Sequence, residues 1–196
     1  MLRFSNDIQD RSGNLNDRLQ MMLDHFDIRE VVEAYVHGCD RGDLEAVKDC
    51  YHPDSYDHHG PLAGPGHQFA TDCVNSLKTY WTSCTHLLGQ SRIKVDGDTA
   101  GAETHYFASL TRDQDGTPML DQQVGRYVDR FERRDGVWRI LDRRCIQDWA
   151  YTIPQGESFV DRAEFLKSAR TPEDIAYDVL DLAPGRGRIT RQRGAK

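Results

Sequence analysis

Three Asp-Gly pairs, at Asp96–Gly97, Asp115–Gly116 and Asp135–Gly136, punctuate the second half of the chain. They sit in "VDGDT", "DQDGTP" and "RRDGVW", between long runs of strand-forming residues. Asp-Gly between such runs is the signal for a tight hairpin turn. The segment from Cys84 to Pro154 therefore predicts a meander of three or four long antiparallel strands. The first half has another period. Ile28, Val31, Val32, Tyr35, Val36 and Cys39 recur at three- and four-residue steps, which is the apolar face of a helix. That helix is expected from Leu15 to Arg41, with a weak point near Asp27 and with Gly38 and Gly42 marking its end. "DLEAVKDCY" predicts a short second helix capped by Asp43, and "HPDSYDHHGPLAGPG" a short strand followed by a loop. "GHQFATDCVNSLKTYWTS" predicts a third helix with Phe69, Cys73, Leu77, Tyr80 and Trp81 on one face. Helices first and strands afterwards imply an α+β fold. In it, helices pack on one face of a strongly curved, mainly antiparallel sheet and close a cone around a pocket.

One domain is expected over residues 15–154, preceded by a flexible N-terminal arm at 1–14. A C-terminal extension at 155–196 is expected to carry one or two peripheral helices and a basic tail. The chain has 196 residues and a net charge of −7, although the stretch from Arg186 to Lys196 has five basic residues and no acidic one. An acidic body argues against nucleic acid as a partner. No stretch approaches the roughly 20 apolar residues of a membrane span, and the N-terminus is too polar for a secretion signal. The expected location is the cytoplasm, with no membrane partner. The five cysteines, Cys39, Cys50, Cys73, Cys84 and Cys145, are odd in number and include no C-x-x-C pair. They read as reduced thiols used as small core residues.

Asp40 falls one turn beyond Val36, at the edge of the buried helix face, where a carboxylate is costly unless paired. His86 lies early in the first long strand. Cys84, His86, Leu88 and Gln90 share one face of that strand. If that face is concave, His86 enters the pocket that Asp40 closes. A carboxylate holding one ring N–H would fix the tautomer and leave the other nitrogen as a base. Spacing alone is equally compatible with a structural ion pair or with two unrelated surface residues.

Four stretches carry a resemblance to a known family: "EAYVHGCDRGDLEAV", "YHPDSYDHHGPLAGP", "CTHLLGQSRIKVDGDTA" and "GRYVDRFERRDGVWRILDR". Over about residues 20–152 the chain resembles the SnoaL-like branch of the nuclear transport factor 2 (NTF2)-like superfamily. That branch includes scytalone dehydratase, hexachlorocyclohexane dehydrochlorinase and a bile-acid 7α-dehydratase. The resemblance implies a cofactor-independent lyase acting on a small hydrophobic aromatic or alicyclic compound, with His86 as general base and Asp40 as its orienting partner. The leaving group would be water, halide or a one-carbon fragment. It further implies a catalytic role for Tyr35 and a pocket position for Cys84, two residues before His86. Consecutive histidines in a strand face opposite sides, and the family pattern favours His59 over His58 as the inward one. Tyr56, Arg126, Trp81 and Trp149 complete the expected substrate-binding set. Gln147 stands where the bile-acid enzyme has an arginine, which weakens the case for a steroid carboxylate.

The spacing of Cys50, His52, His58 and His59 matches no standard zinc pattern. No Gly-rich phosphate loop or G-x-S-x-G is present. No metal and no cofactor are therefore expected. The alternatives of the same fold are an isomerase or polyketide-type cyclase and a non-catalytic ligand-binding module. The resemblance also implies a homo-oligomer, a trimer rather than a dimer.

Overall fold

The structure, a computed structural model, describes residues 14–156, 164–166, 168–170 and 173–180. The expected arm before Asn14, most of the segment after Gly156 and the basic tail lie outside the described residues. Helix α1 (Leu15–Arg41) is continuous through Asp27, because its turns on both sides of Asp27 keep their hydrogen bonds and no Gly or Pro interrupts them. Asn14 caps its start by accepting from the Asp17 N–H. At its end the Asp43 N–H bonds to the Gly38 carbonyl. Asp43 then turns round and caps α2 (Leu44–Asp49) through the Ala46 N–H.

Strand β1 (Tyr51–His58) follows, then a 3-10 turn at Gly60–Leu62, the two-residue strand β2 (Gly64–Pro65) and α3 (Gly66–Tyr80). The meander is β3 (Ser83–Asp96), β4 (Thr99–Gln114), β5 (Thr117–Arg134) and β6 (Val137–Pro154). Its turns behave as their sequences predict. Asp115–Gly116 and Asp135–Gly136 have positive φ at both central residues, and Gly97 supplies positive φ at the first position of the third turn.

The six strands run in the order β2-β1-β6-β5-β4-β3. All pairs are antiparallel except β1 with β6, which is parallel. Register shifts interrupt β3, β6 and the β1–β6 pairing, and such irregularities bend strands and sharpen twist. The sheet is mixed and does not close. α1 lies against β3 and β6, α3 against β1, and the core fills the space between helices and sheet. Among the described residues no helix is long and apolar enough to cross a membrane.

Two buried charges fasten this assembly. Asp24 of α1 accepts from the Arg133 guanidinium at 2.7 Å and from the Trp138 indole N–H at 3.0 Å, so the "RRDGVW" hairpin is pinned to the long helix. Arg143 of β6 makes two bonds, 2.8 and 2.7 Å, to Asp129 of β5. Its guanidinium lies between the rings of Tyr35 and Tyr127, 4.2 and 4.3 Å from their centres. Cation–π contacts on both faces and a bidentate carboxylate offset the cost of desolvating the charge.

The short helix α4 (Ile175–Val179) and the described residues before it pack on the C-terminal end of α1. Arg41 donates to Ser168, Ala169 and Asp174. Tyr177 donates to Asp43 and meets His37 edge-on.

Candidate active site

Asp40 occupies the last turn of α1, which crosses β3 where that strand begins. Arg29 reinforces the crossing about three turns earlier by donating to the Gly89 carbonyl and the Ser91 hydroxyl at the β3 irregularity. The Asp40 carboxylate uses both oxygens on one residue. Oδ1 lies 2.7 Å from His86 Nδ1, and Oδ2 accepts the His86 backbone N–H at 2.9 Å. Both side chains are 11% exposed. A carboxylate can only accept, so Nδ1 carries the proton and Nε2 keeps its lone pair. Among the described residues Nε2 has no hydrogen-bond partner in the protein. The backbone anchor prevents the carboxylate from rotating away, so the ring orientation is set as well as the tautomer.

Cys84 stands two residues before His86 on the same face, its Sγ 3.7 Å from Nδ1. That nitrogen is already engaged by Asp40. Burial first, and the adjacent Asp40 charge second, push the Cys84 thiol well up. A thiolate there is disfavoured, which argues against a nucleophile at this position. The donor atoms of Asp40, Cys84 and His86 lie within 4.8 Å of one another. To share one cation, Asp40 would have to release Nδ1 and Cys84 would have to lose its proton.

Beside the dyad stands a residue the sequence did not single out. The Tyr106 ring on β4 is 6.4 Å from the His86 ring and stacks on Tyr127 at 4.5 Å. A Cβ on Gly125, opposite Tyr106, would lie 2.8 Å from its hydroxyl, so the glycine makes room for the ring. Burial, with the neighbouring Cys145 thiol, pushes the Tyr106 phenol upward, keeping it a proton donor. "HYF" at 105–107 places bulky rings on both faces of one strand, and alternation alone does not choose between them.

His59 turns inward and stacks on Phe69 at 4.9 Å, while His58 stays outside beside Asp142. The His59 Nδ1 bonds to Asp57 at 3.2 Å. Its partial burial opposes the positive charge, but Asp57 and then Cys145 outweigh that and lift the imidazole to about 10.

The remaining expected site residues lie elsewhere. Tyr35 is 2% exposed and forms one wall of the Arg143 sandwich. Asp40 lies about 140° round the helix from it, so the turn that brings Asp40 to His86 sends Tyr35 into the core. Arg126 is on the opposite sheet face, paired with Glu103 and Asp148. Tyr127, Asp129 and Phe131 take the inner positions of β5, which forces Arg126 outward. Trp149 is also outside and 47% exposed, because the shift at Val124/Gly125 sets it opposite Val124. Tyr56 is exposed and lies against His58. Trp81 caps α3 and packs at the core margin. Two surface clefts, of about 510 and 550 Å³, lie along Lys94–Arg130 and Glu45–Arg139 and do not include the dyad.

Residues 20–144 match the model of the SnoaL-like domain. The chain belongs to the SnoaL-like family. It is 25% identical over 133 residues to an uncharacterized protein of Mycobacterium tuberculosis (strain H37Rv), Rv2910c, covering 63% of this chain and 87% of that one. It is similar in structure to an NTF2-like protein with a cystatin-like fold from Novosphingobium aromaticivorans. The two are 27% identical with a TM-score of 0.56, over 71% of this chain and 92% of the other. It also shares its fold with a hexachlorocyclohexane dehydrochlorinase, LinA-type3, from Novosphingobium barchaimii LL02. There the identity is 21% and the TM-score 0.62, over 74% of this chain and 99% of that one. The SnoaL-like domain thus sits on an NTF2-like cone.

Proposed function

We propose that this SnoaL-like chain is a cofactor-independent lyase. It removes a proton from a carbon of a small, mostly apolar aromatic or alicyclic compound and expels water, halide or a one-carbon fragment from the neighbouring carbon. The observation that carries the proposal is the double hold of Asp40 on His86, through Nδ1 and through the backbone N–H. Nε2 accepts the proton, and Asp40 stabilises the imidazolium that forms. The electron pair of the broken C–H bond becomes the new double bond, and the leaving group departs with its own pair. Tyr106 is the nearest phenol to the base and donates to the leaving group or to a developing enolate. His59, positively charged over a wide pH range, is the second donor. Tyr35 and Arg126, expected in these roles, are engaged elsewhere. The dehydrochlorinase that shares the fold supports elimination as the reaction class.

The test is a screen of β-hydroxy and β-halo ring compounds, following conjugated-alkene absorbance and the released group. His86→Ala is expected to lower turnover at least 10²-fold while the protein stays folded. Full activity in that variant overturns the proposal. Rearrangement of a substrate without loss of a group would instead identify an isomerase or cyclase.

The chain is further proposed to be cytoplasmic and to form a homotrimer rather than a dimer, with neither nucleic acid nor membrane as partner. Supporting self-association, a single copy leaves Leu15, Leu19, Met22 and Phe26 of α1 uncovered. The outer sheet face does the same with Leu87, Trp149 and Ile153. Contiguous exposed apolar residues mark association surfaces. A monomer in sedimentation equilibrium would overturn this.

A further inference from the structure

The parallel pairing of β1 with β6 sets Asp57 beside Arg143 and His58 beside Arg144. One residue further on are His59, just past the end of β1, and Cys145 of β6. The chain therefore delivers a carboxylate, an imidazole and a thiol to one place from two neighbouring strands. Asp57 is fully buried; one oxygen bonds to His59 Nδ1 at 3.2 Å and the other accepts the Tyr51 hydroxyl at 2.6 Å. His59 is clamped by its stack on Phe69, and the neighbouring Cys145 thiol adds to the lift that Asp57 gives the imidazole. On the far side, Sγ lies 3.4 Å from the Tyr106 hydroxyl. The Tyr106 ring is the same one that stands beside His86.

This is the order of groups that activates a thiol: a fixed acid, an imidazole oriented by it, and a cysteine brought alongside by the neighbouring strand. Cys145 is also the one cysteine of the five that is not buried. Cys84 differs in each respect, since its imidazole neighbour is held by Asp40 through the nitrogen nearest the sulfur.

We propose that Cys145, activated by His59 and Asp57, is a second reactive centre that adds its thiol across electron-poor double bonds. His59 is already protonated in the native state, so Cys145 enters the reaction as the thiolate of a thiolate–imidazolium pair, its own proton being the one the imidazole holds. The thiolate then forms a C–S bond at the β-carbon of an α,β-unsaturated carbonyl compound. The π pair moves onto the carbonyl oxygen as an enolate, and the imidazolium returns its proton to the α-carbon. The sum is addition of S–H across C=C, with nothing oxidised or reduced, and the reverse transfers release the alkene. The electrophile class rests on the proposed elimination, whose product is a conjugated alkene when a carbonyl flanks the acidic carbon. The activation of the thiol rests on the Asp57–His59 bond and on the β1–β6 register that brings Cys145 alongside. The other charged or titratable groups around the sulfur are Tyr106 of β4, Tyr127 of β5, and Arg143 and Asp148 of its own strand. Burial holds the Tyr106 and Tyr127 phenols protonated, so His59 is the group positioned to shape the reaction's pH dependence.

The experiment treats the full chain with N-ethylmaleimide, an electron-poor alkene, between pH 6 and pH 8 and maps the adducts by peptide mass spectrometry. Cys145 is expected to be labelled before the four buried cysteines, at a rate that changes less than about threefold across that range. An ordinary thiol with a pKa near 8.5 slows roughly 80-fold between pH 8 and pH 6. His59→Gln should restore that steep dependence, and His86→Ala should leave the labelling rate within about twofold. A steep wild-type profile, or no adduct at Cys145, overturns the proposal and suffices even if His59→Gln fails to fold. Loss of labelling in His86→Ala would also overturn it, by tying the thiol to the dyad. Failure of the elimination screen with a flat labelling profile refutes the lyase proposal and leaves this one standing.

Discussion

Replacing Asp40 by Asn tests the dyad most sharply, because it keeps shape and changes only what the group can accept. In the native chain both carboxylate oxygens receive an N–H, from the His86 ring at 2.7 Å and from the His86 backbone at 2.9 Å. An amide has one oxygen and one NH2, so it can satisfy one of these donors and must face the other with a donor of its own. The side chain is 11% exposed, so little water is at hand to repair the mismatch. The backbone N–H cannot change its chemistry, whereas the imidazole can. The low-energy answer sets the amide oxygen on the backbone N–H and the NH2 on Nδ1. That forces the ring proton onto Nε2, which removes the lone pair the reaction needs. A displaced tautomer together with loss of imidazolium stabilisation costs about 10⁴-fold in a comparable His–Asp pair. Turnover is therefore expected to fall 10³- to 10⁴-fold. Stability should change by only about 1.5–3 kcal/mol, the worth of one hydrogen bond to a charged group. The substrate-independent assay is a long-range ¹H–¹⁵N spectrum of the imidazole, read in wild type and variant. A shift of the His86 proton from Nδ1 to Nε2 is expected. An unchanged tautomer, or activity within tenfold of wild type, would refute the reasoning.

Other perturbations separate groups that act from groups that hold the fold. The folded pKa of His59 is about 10, above its ordinary 6.5, so the protonated form is favoured in the native state. Its contribution is complete below about pH 6.5 and disappears as pH rises through about 10. The stability difference between wild type and His59→Gln should shrink over that window, by at most about 1.4 kcal/mol per pH unit, as read by urea denaturation. Asp129→Asn leaves Arg143 buried without its counter-charge and should cost about 3–5 kcal/mol, visible as a lowered denaturation midpoint. Arg126→Ala removes only outer-face ion pairs, and steady-state turnover within twofold of wild type is expected.

Much of the architecture is legible in the residue pattern because its signals are local. A helix face repeats within one turn, and an Asp-Gly pair accepts the positive φ of a tight turn without reference to distant chain. α1 and the meander could thus be drawn from the sequence. Asp40 and His86 could be named as a pair through a family resemblance, although their separation of 46 positions carries no contact information of its own.

What the sequence by itself determined is the alternation of side chains along each element and the places where the chain must turn. Which of two faces looks toward the helices was decided only by tertiary packing. The side-chain period in a strand is two, so a single register shift moves every following residue to the other side. That shift puts Trp149 outside, and the same phase choice turns Arg126 to the surface and Tyr106 toward His86. The partnership of Asp57, His59 and Cys145 likewise exists only because β1 lies parallel to β6. Strand neighbours remote in sequence are chosen by the packing of the whole sheet, which no short stretch of residues encodes.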